Sequence, residues 1–375
     1  MQIQLVHPEP LAPLPVDSGH YVAALQNKRG ELEALRQASD ETWERLTPLV
    51  HFVGPKARTE PFKAATIRSW GAKVGSAVGS HPFYLDVMRL DPTYAVATSE
   101  GDVPVLQHIY AVARKRQLRF VPVASVGEST TAHRRLVADA VLQDGHGLAL
   151  RYRIRTVVPP VGTTLGDYLG EQLATLGSDG STTDLLIDLE YIDLDVELDA
   201  NDLAASLKEM LNVGPWRSIV LLGTSMPSML SCIDEGSVGS LPRREWNLWL
   251  QLAGCDLTRM PSFGDYAIQH PRPPQDGGGP GMRANIRYTA NGDTLVARGQ
   301  GSVIQEGKDQ YRTLCQQLVG RTEFAGSAYS WGDEVIEDCA RGRMEPGAQN
   351  VWRGAGTSHH LRLVTDQLRQ RQAVA

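Results

Sequence analysis

The sequence predicts an α/β fold, specifically a (β/α)8 TIM-barrel-like domain, and three observations carry that reading. Short apolar β-type runs alternate with amphipathic helical stretches about eight times between Tyr21 and the late 260s. The helical stretches are about 10–15 residues long, the crossover length that parallel strands require. Several runs end in or next to a charged residue (Lys28, Asp86, Arg151, Asp188 and Asp265), and polar strand ends of a barrel gather at one mouth. An open doubly wound sheet fits the same alternation, but the count of eight favours closure.

The elements follow in order. Residues 1–20 are proline-rich and aperiodic and read as a leader lying over the outside. Tyr21–Gln26 is the first strand, with a helix opening at Glu31. Leu46–Val53 is the second, followed by a connection holding Pro55 and Pro61 and a helix around Ala64–Val74. Phe83–Leu90 and its helix Val105–Arg116 come next, then Arg119–Ala124, with Ser129 or Thr130 capping a helix through Leu142. In the fifth strand, Gly147–Ile154, period-two alternation puts Ala149, Arg151 and Arg153 on one face. The sixth, Asp184–Ile192, aligns Leu186, Asp188 and Glu190 in the same way. Ser218–Thr224 is the seventh, and after a helix near Arg243–Ala253 the eighth falls within Thr258–His270.

The barrel strands and helices thus occupy residues 21–270, and the pattern changes beyond them. A Pro/Gly-rich stretch, 271–281, precedes two alternating runs around Asn291-Gly292-Asp293. Asn-Gly between such runs predicts a β-hairpin with a type I′ turn, inserted after the eighth strand and lying over or beside the mouth as a lid or a brace. Residues 271–375 therefore read as this hairpin plus C-terminal helices that complete and cover the barrel.

Composition bounds the function. The chain is 42% hydrophobic and 21% charged, enough to bury a core. A net charge of -6 argues against a broad nucleic-acid face but leaves a small anionic ligand open. A continuous patch of Arg29, Lys115, Arg116, Arg134 and Arg135 would restore the nucleic-acid reading. The four cysteines have no CxxC spacing, as in a reduced chain without a zinc knuckle. The first residues lack a signal peptide's basic and apolar regions, and no apolar run reaches the roughly 20 residues of a membrane span. The expected setting is cytoplasmic, without a membrane partner.

Asp86, Asp188 and Asp265 are the candidate catalytic and metal-binding residues. An aspartate in an apolar strand needs a cation, a metal or hydrogen-bond donors. Gathered at the mouth they would hold Mg²⁺ or Mn²⁺; paired with Arg151 and Arg153 they would be structural. Lys28, Glu31, Arg151 and Arg298 are candidate ligand-binding residues, because arginine suits bidentate recognition of phosphate or carboxylate. Arg287 and Arg353 extend the basic set, and no phosphate loop or G-x-S-x-G elbow is present. His51 reads as a hydrogen-bonded core residue. In the C-terminal segment, Trp331, Asp333, Trp352, Arg353 and His359 either stack on a ligand ring or strap the tail to the barrel with buried indoles.

These residues also carry a resemblance. YVAALQNKRGELEAL, LTPLVHF, SFGDY, ANIRYT, LVARG, QYRTLCQQLV, SWGD and WRGAGTSHHL together resemble the "beta protein" family of phages and bacteria, from Tyr21 to Leu368. Lys28, Gly30, Glu31, Asp86, Asp188, Gly264, Asp265, Tyr266, Arg298, Gly299, Trp331, Asp333, Trp352, Arg353, Gly356, His359 and His360 match its motifs. The chain departs at Gln26-Asn27, where the family usually has Lys-Trp, and at His51, where it has an acidic residue. Chemistry that needs either position would be changed here. The resemblance implies a link to phage–bacteria conflict and names no reaction.

Two functions remain in view. One is a barrel binding a small phosphate-containing ligand or nucleotide at its mouth, extending to metal-assisted phosphoester hydrolysis with Arg151 and Arg298 neutralising developing charge. The other is a non-catalytic recognition or scaffold protein of an antiviral or phage system, meeting a protein partner through the Trp331 and Trp352 segments.

Overall fold

The computed structural model describes residues 17–54, 63–87, 90, 94–98, 101–196, 198–272 and 282–374. The expected leader up to residue 16, the connection 55–62, the far end of the third run and most of the Pro/Gly stretch lie outside the described residues. Eight parallel strands close into a barrel. They are β1 (Tyr21–Gln26), β2 (Leu46–His51), β3 (Phe83–Asp86), β6 (Phe120–Ser125), β7 (Leu148–Arg153), β8 (Thr183–Tyr191), β9 (Ser218–Thr224) and β11 (Ser262–Asp265). Each pairs with its predecessor in that order, and β11 returns to β1. Alternation sends Val22, Leu49, Tyr84, Val123, Leu186 and Val220 into the barrel interior. The opposite faces pack under the helices, where Tyr21 stacks on Phe263.

The crossover helices are α1 (Arg29–Arg36), α2 (Asp40–Trp43), α3 (Ala64–Val78), α4 (Val105–Lys115), α5 (Thr131–Asp144), α6 (Leu165–Thr175), α7 (Ala200–Leu211) and α8 (Arg244–Leu252). Of the two expected caps for α5, Thr130 serves: its hydroxyl accepts the His133 N–H at 3.2 Å. Gly145, with φ 66°, ends that helix in the left-handed region.

Three features differ from the sequence reading. A small antiparallel pair, β4 (Ala95–Thr98) with β5 (Gly101–Pro104), stands between β3 and α4. The eighth strand is only Ser262–Asp265, because Ala267 takes φ 49° and turns the chain away. The hairpin forms from β12 (Asn285–Thr289) and β13 (Asp293–Arg298), yet neither Asn291 nor Gly292 has positive φ. The Ala290 N–H donates to the Asp293 carbonyl at 2.7 Å, so Asn291 and Gly292 are the two turn residues, but without positive φ the turn is not type I′. Arg243 holds that loop instead, its backbone N–H donating to the Gly292 carbonyl at 2.8 Å and its guanidinium to that of Asn291 at 3.2 Å.

The hairpin is part of a larger layer. β10 (Val238–Pro242), from the loop after β9, pairs with β13 and makes a three-stranded sheet. α9 (Val303–Glu306), α10 (Gln310–Val319), α11 (Trp331–Ala340) and α12 (Gln349–Val374) complete the chain, and α10 to α12 pack on this sheet. At their centre Trp352 is 1% exposed and stacks on Tyr311 at 5.0 Å. Glycines permit the close approach: a Cβ on Gly30 would collide with the Asn350 carbonyl, and one on Gly332 with that of Ala355.

Two adjacent histidines fasten α12. His359 Nδ1 lies 2.9 Å from Asp333 Oδ2 and its Nε2 2.8 Å from the Thr289 carbonyl. Tyr288 and Ser330 donate to the same Asp333 carboxylate. His360 turns the other way, to Asp265 Oδ2 at 2.9 Å and the Thr289 hydroxyl at 2.7 Å. Burial pushes the His360 ring below its usual value, with Asp265 opposing. Asp333→Asn is isosteric but removes a buried carboxylate that accepts from Tyr288 and Ser330 and lies against His359, so urea unfolding of the variant should show a loss of about 1–3 kcal/mol.

Candidate functional site at the barrel mouth

The inward register of β7 brings Arg151 to the C-terminal end of the barrel, and everything at the mouth is arranged around it. Its Nε and Nη2 donate to Asp188 Oδ2 at 2.9 and 2.6 Å, and Nη1 donates to Asp86 Oδ2 at 2.5 Å. Tyr266, just past β11, accepts from Nη2 at 2.5 Å and donates to Asp188 at 2.8 Å. His51 Nδ1 lies 3.0 Å from Asp86 Oδ2, and its ring stacks on Tyr266 at 6.1 Å. All five side chains are buried. Burial alone would push the Arg151 guanidinium down, but Asp188, Tyr266 and Asp86 hold it well above its ordinary value. Burial likewise raises the Tyr266 hydroxyl, which stays a neutral donor.

One level outward, Arg153 pairs with Glu128, and its Nε stands 3.4 Å from Glu190. Arg272 reaches the same glutamate at 2.8 Å. Glu190 adopts φ 54°, where the β8–β9 register shifts between Asp188 and Tyr191. Asp188 Oδ1 holds this turn by accepting the Glu190 N–H at 2.9 Å. A non-glycine residue in the left-handed region beside a bulge is strain of the kind that collects at functional sites.

The three aspartates do not form one set. Asp86 and Asp188 meet on Arg151, whereas Asp265 points out of the barrel to Tyr21 Oη at 2.5 Å and to His360. The reason is alternation along β11: Phe263 and Asp265 face the helices, so Gly264 and Tyr266 take the inward positions. Among the described residues no group of three or more His, Cys, Asp or Glu side chains is placed to hold a metal ion. Two carboxylates already bridged by a guanidinium, with the third facing away, do not fit Mg²⁺ or Mn²⁺.

The other candidates separate. Lys28 precedes α1 at the rim, and Glu31 is buried beside it, accepting the Gln26 N–H at 3.4 Å. Arg298 is engaged with protein groups: it donates to the Leu230 and Ile233 carbonyls and stands 3.5 Å from Glu235, pinning the loop after β9. Asp333 and His359 are buried inside the C-terminal layer, as a strap requires; Trp352 is buried there too, but it also lines the cleft that holds Arg353. Trp331 lines a groove between the α1–α2 turn and α11–α12. Arg353 shares a narrow cleft with Arg287, Asn285, Gln349 and Gln269, on the rim where β11 ends. Arg287 donates to the Ile268 carbonyl at 2.5 Å. Burial and the nearby Arg353 push its guanidinium down to about 10, with Glu31 opposing.

Arg287, Tyr266, His51 and Glu190 are the mouth residues that the choice of ligand-binding candidates passed over. For His51 the signal was available: period two from Thr47 and Leu49 turns it inward. Tyr266 lies beyond its strand, where alternation no longer predicts direction.

A closed parallel barrel with a charged, strained mouth at the C-terminal ends of its strands defines the class: a (β/α)8 barrel with its candidate site in the usual place. Within that class the chain belongs to the Beta protein family, whose model matches residues 21–366. No curated protein matches. Among solved structures, it is similar to an HMG-CoA lyase from Brucella melitensis at 15% identity and a TM-score of 0.33, over 94% of this chain and 99% of that one. It is also similar to a protein described as spore coat polysaccharide biosynthesis protein E from Chromobacterium violaceum, at 8% identity and a TM-score of 0.34. That match covers 65% of this chain and 64% of the other. Neither likeness bears on chemistry. No described helix is long and apolar enough to cross a membrane.

Arg151→Met leaves two buried carboxylates facing each other and should lower stability by about 3–5 kcal/mol in chemical unfolding. Mg²⁺ or Mn²⁺ should leave the wild-type midpoint where salt of matched ionic strength leaves it. A metal-specific rise would contradict the pairing described above.

Proposed function

We propose that the barrel mouth binds a small ligand through an anionic group, phosphate or carboxylate, and serves recognition rather than metal-assisted hydrolysis. One observation carries this reading. Arg287 and Arg353 line the same rim cleft, and among the described residues neither has a carboxylate within ion-pair distance. Burial first and Arg353 second make the Arg287 charge costly, with Glu31 opposing in part. An anion in the cleft would relieve both cations, and two guanidiniums offer the planar donors that phosphate and carboxylate accept. The Asp86–Arg151–Asp188 cluster is internally neutralised to within one charge, so Arg151 is not the cation that such a ligand would meet. A nucleotide is the ligand class to test first, because its terminal phosphate is the group that two guanidiniums at a narrow cleft would hold.

The test is calorimetric titration of the full chain with nucleotides, cyclic dinucleotides, inorganic phosphate and uncharged nucleosides. Phosphate-bearing compounds should bind and nucleosides should not. Arg287→Gln should weaken binding about 10–100-fold, the value of a hydrogen bond to a charged group. Affinity should fall as pH rises through about 10, where Arg287 gives up its proton. Equal binding of nucleosides, or full affinity in Arg287→Gln, would defeat the reading. Phosphoester turnover that Asp188→Asn abolishes would return the hydrolase reading.

A further inference from the structure

The chain has seven tryptophans, and six of them are no more than 9% exposed. The seventh, Trp331, is half-buried in the wall of a groove of about 600 Å³ between the α1–α2 turn and α11–α12. That volume lies in the ordinary range of ligand sites, about 300–1,000 Å³. The indole edge lies against Gly354, and its N–H has no hydrogen-bond partner among the described residues. Beside it stands the ring of Tyr329, with Arg362 over its face at 5.9 Å. An aromatic ring with an unused donor in an open groove is unusual in a protein that seals every other indole.

The charges in the groove say what it would take. Its lining holds two cations, Arg343 and Arg362, and two carboxylates, Glu334 and Asp338. Arg362 is paired with Glu41 at 2.7 Å and Asp366 at 3.0 Å, and Arg343 with Asp338 at 2.6 Å. No uncompensated cation remains to attract a phosphate. The remaining polar surface is mostly hydroxyl, including Ser39, Ser327 and Ser330. Hydroxyls both donate and accept, and an aromatic face takes the apolar C–H face of a sugar ring.

We propose that this groove is a saccharide site, with Trp331 as the stacking platform. It is distinct from the mouth cleft and does not depend on the anion reading. The full chain is titrated with neutral mono- and oligosaccharides, read by tryptophan emission and by saturation-transfer NMR of the sugar protons. Trp331 is the most accessible of the seven indoles, so its emission should shift with saccharide. Trp331→Leu should abolish the NMR transfer. Ala328→Arg, which fills the groove from an exposed position, should weaken binding about tenfold or more. Arg287→Gln should bind sugar as wild type does. If Trp331→Leu does not fold, Ala328→Arg decides. Absence of any saccharide response, a response to nucleosides alone, or a response that survives in the folded variants would overturn the proposal.

Discussion

A guanidinium between two carboxylates holds the mouth of this barrel together. Asp86 and Asp188 belong to strands β3 and β8, separated by β6 and β7, and both are nearly inaccessible to water. Either carboxylate alone in that interior would cost several kcal/mol, on the order of a buried unpaired ion. Arg151 reaches both and recruits Tyr266 from beyond β11, so one side chain ties opposite parts of the mouth through hydrogen bonds of 2.5–2.9 Å. The outer rank of Arg153, Glu190 and Arg272 is built on that base, and so is the strained turn at Glu190.

The C-terminal layer obeys a similar rule with different groups. His359 and His360 are neighbours on α12 and therefore point in different directions, one toward Asp333 on α11 and one toward Asp265 on the barrel. Thr289 of the hairpin meets both, giving its carbonyl to the first and its hydroxyl to the second. Three layers are thus joined at one residue of β12. The adjacency that makes the pair a poor chelate makes it a good clamp.

The fold was largely legible because alternation is strong in buried parallel strands. β1, β9 and most of β7 and β8 fall where the apolar runs predict. β4, β5 and β10 were not seen, since they are short and polar and owe their pairing to tertiary context. The site was legible only in part. Arg151, Asp86 and Asp188 were recognised as mouth residues, but a list of charges at strand ends cannot say which charge meets which. Asp265 looked equivalent to the other two aspartates, and one residue of phase along β11 sends it to the opposite face. Gln26 and His51 are register partners on β1 and β2, a juxtaposition that residues far apart in sequence do not announce.

Helix α12 also bears on how the chain comes to be folded. It lies after every barrel strand in the chain, yet it packs on α1, β1 and β12, and its Gln372 reaches Arg45, which is bonded to Gly19. During synthesis the first strand and its helix emerge long before the element that covers them. The growing chain therefore carries an uncovered flank through the making of the whole barrel, and Gly30 waits for Asn350 and Gly354 to close over it. Contacts spanning so much sequence are entropically slow to form, which makes the sealing of that flank a late event in folding.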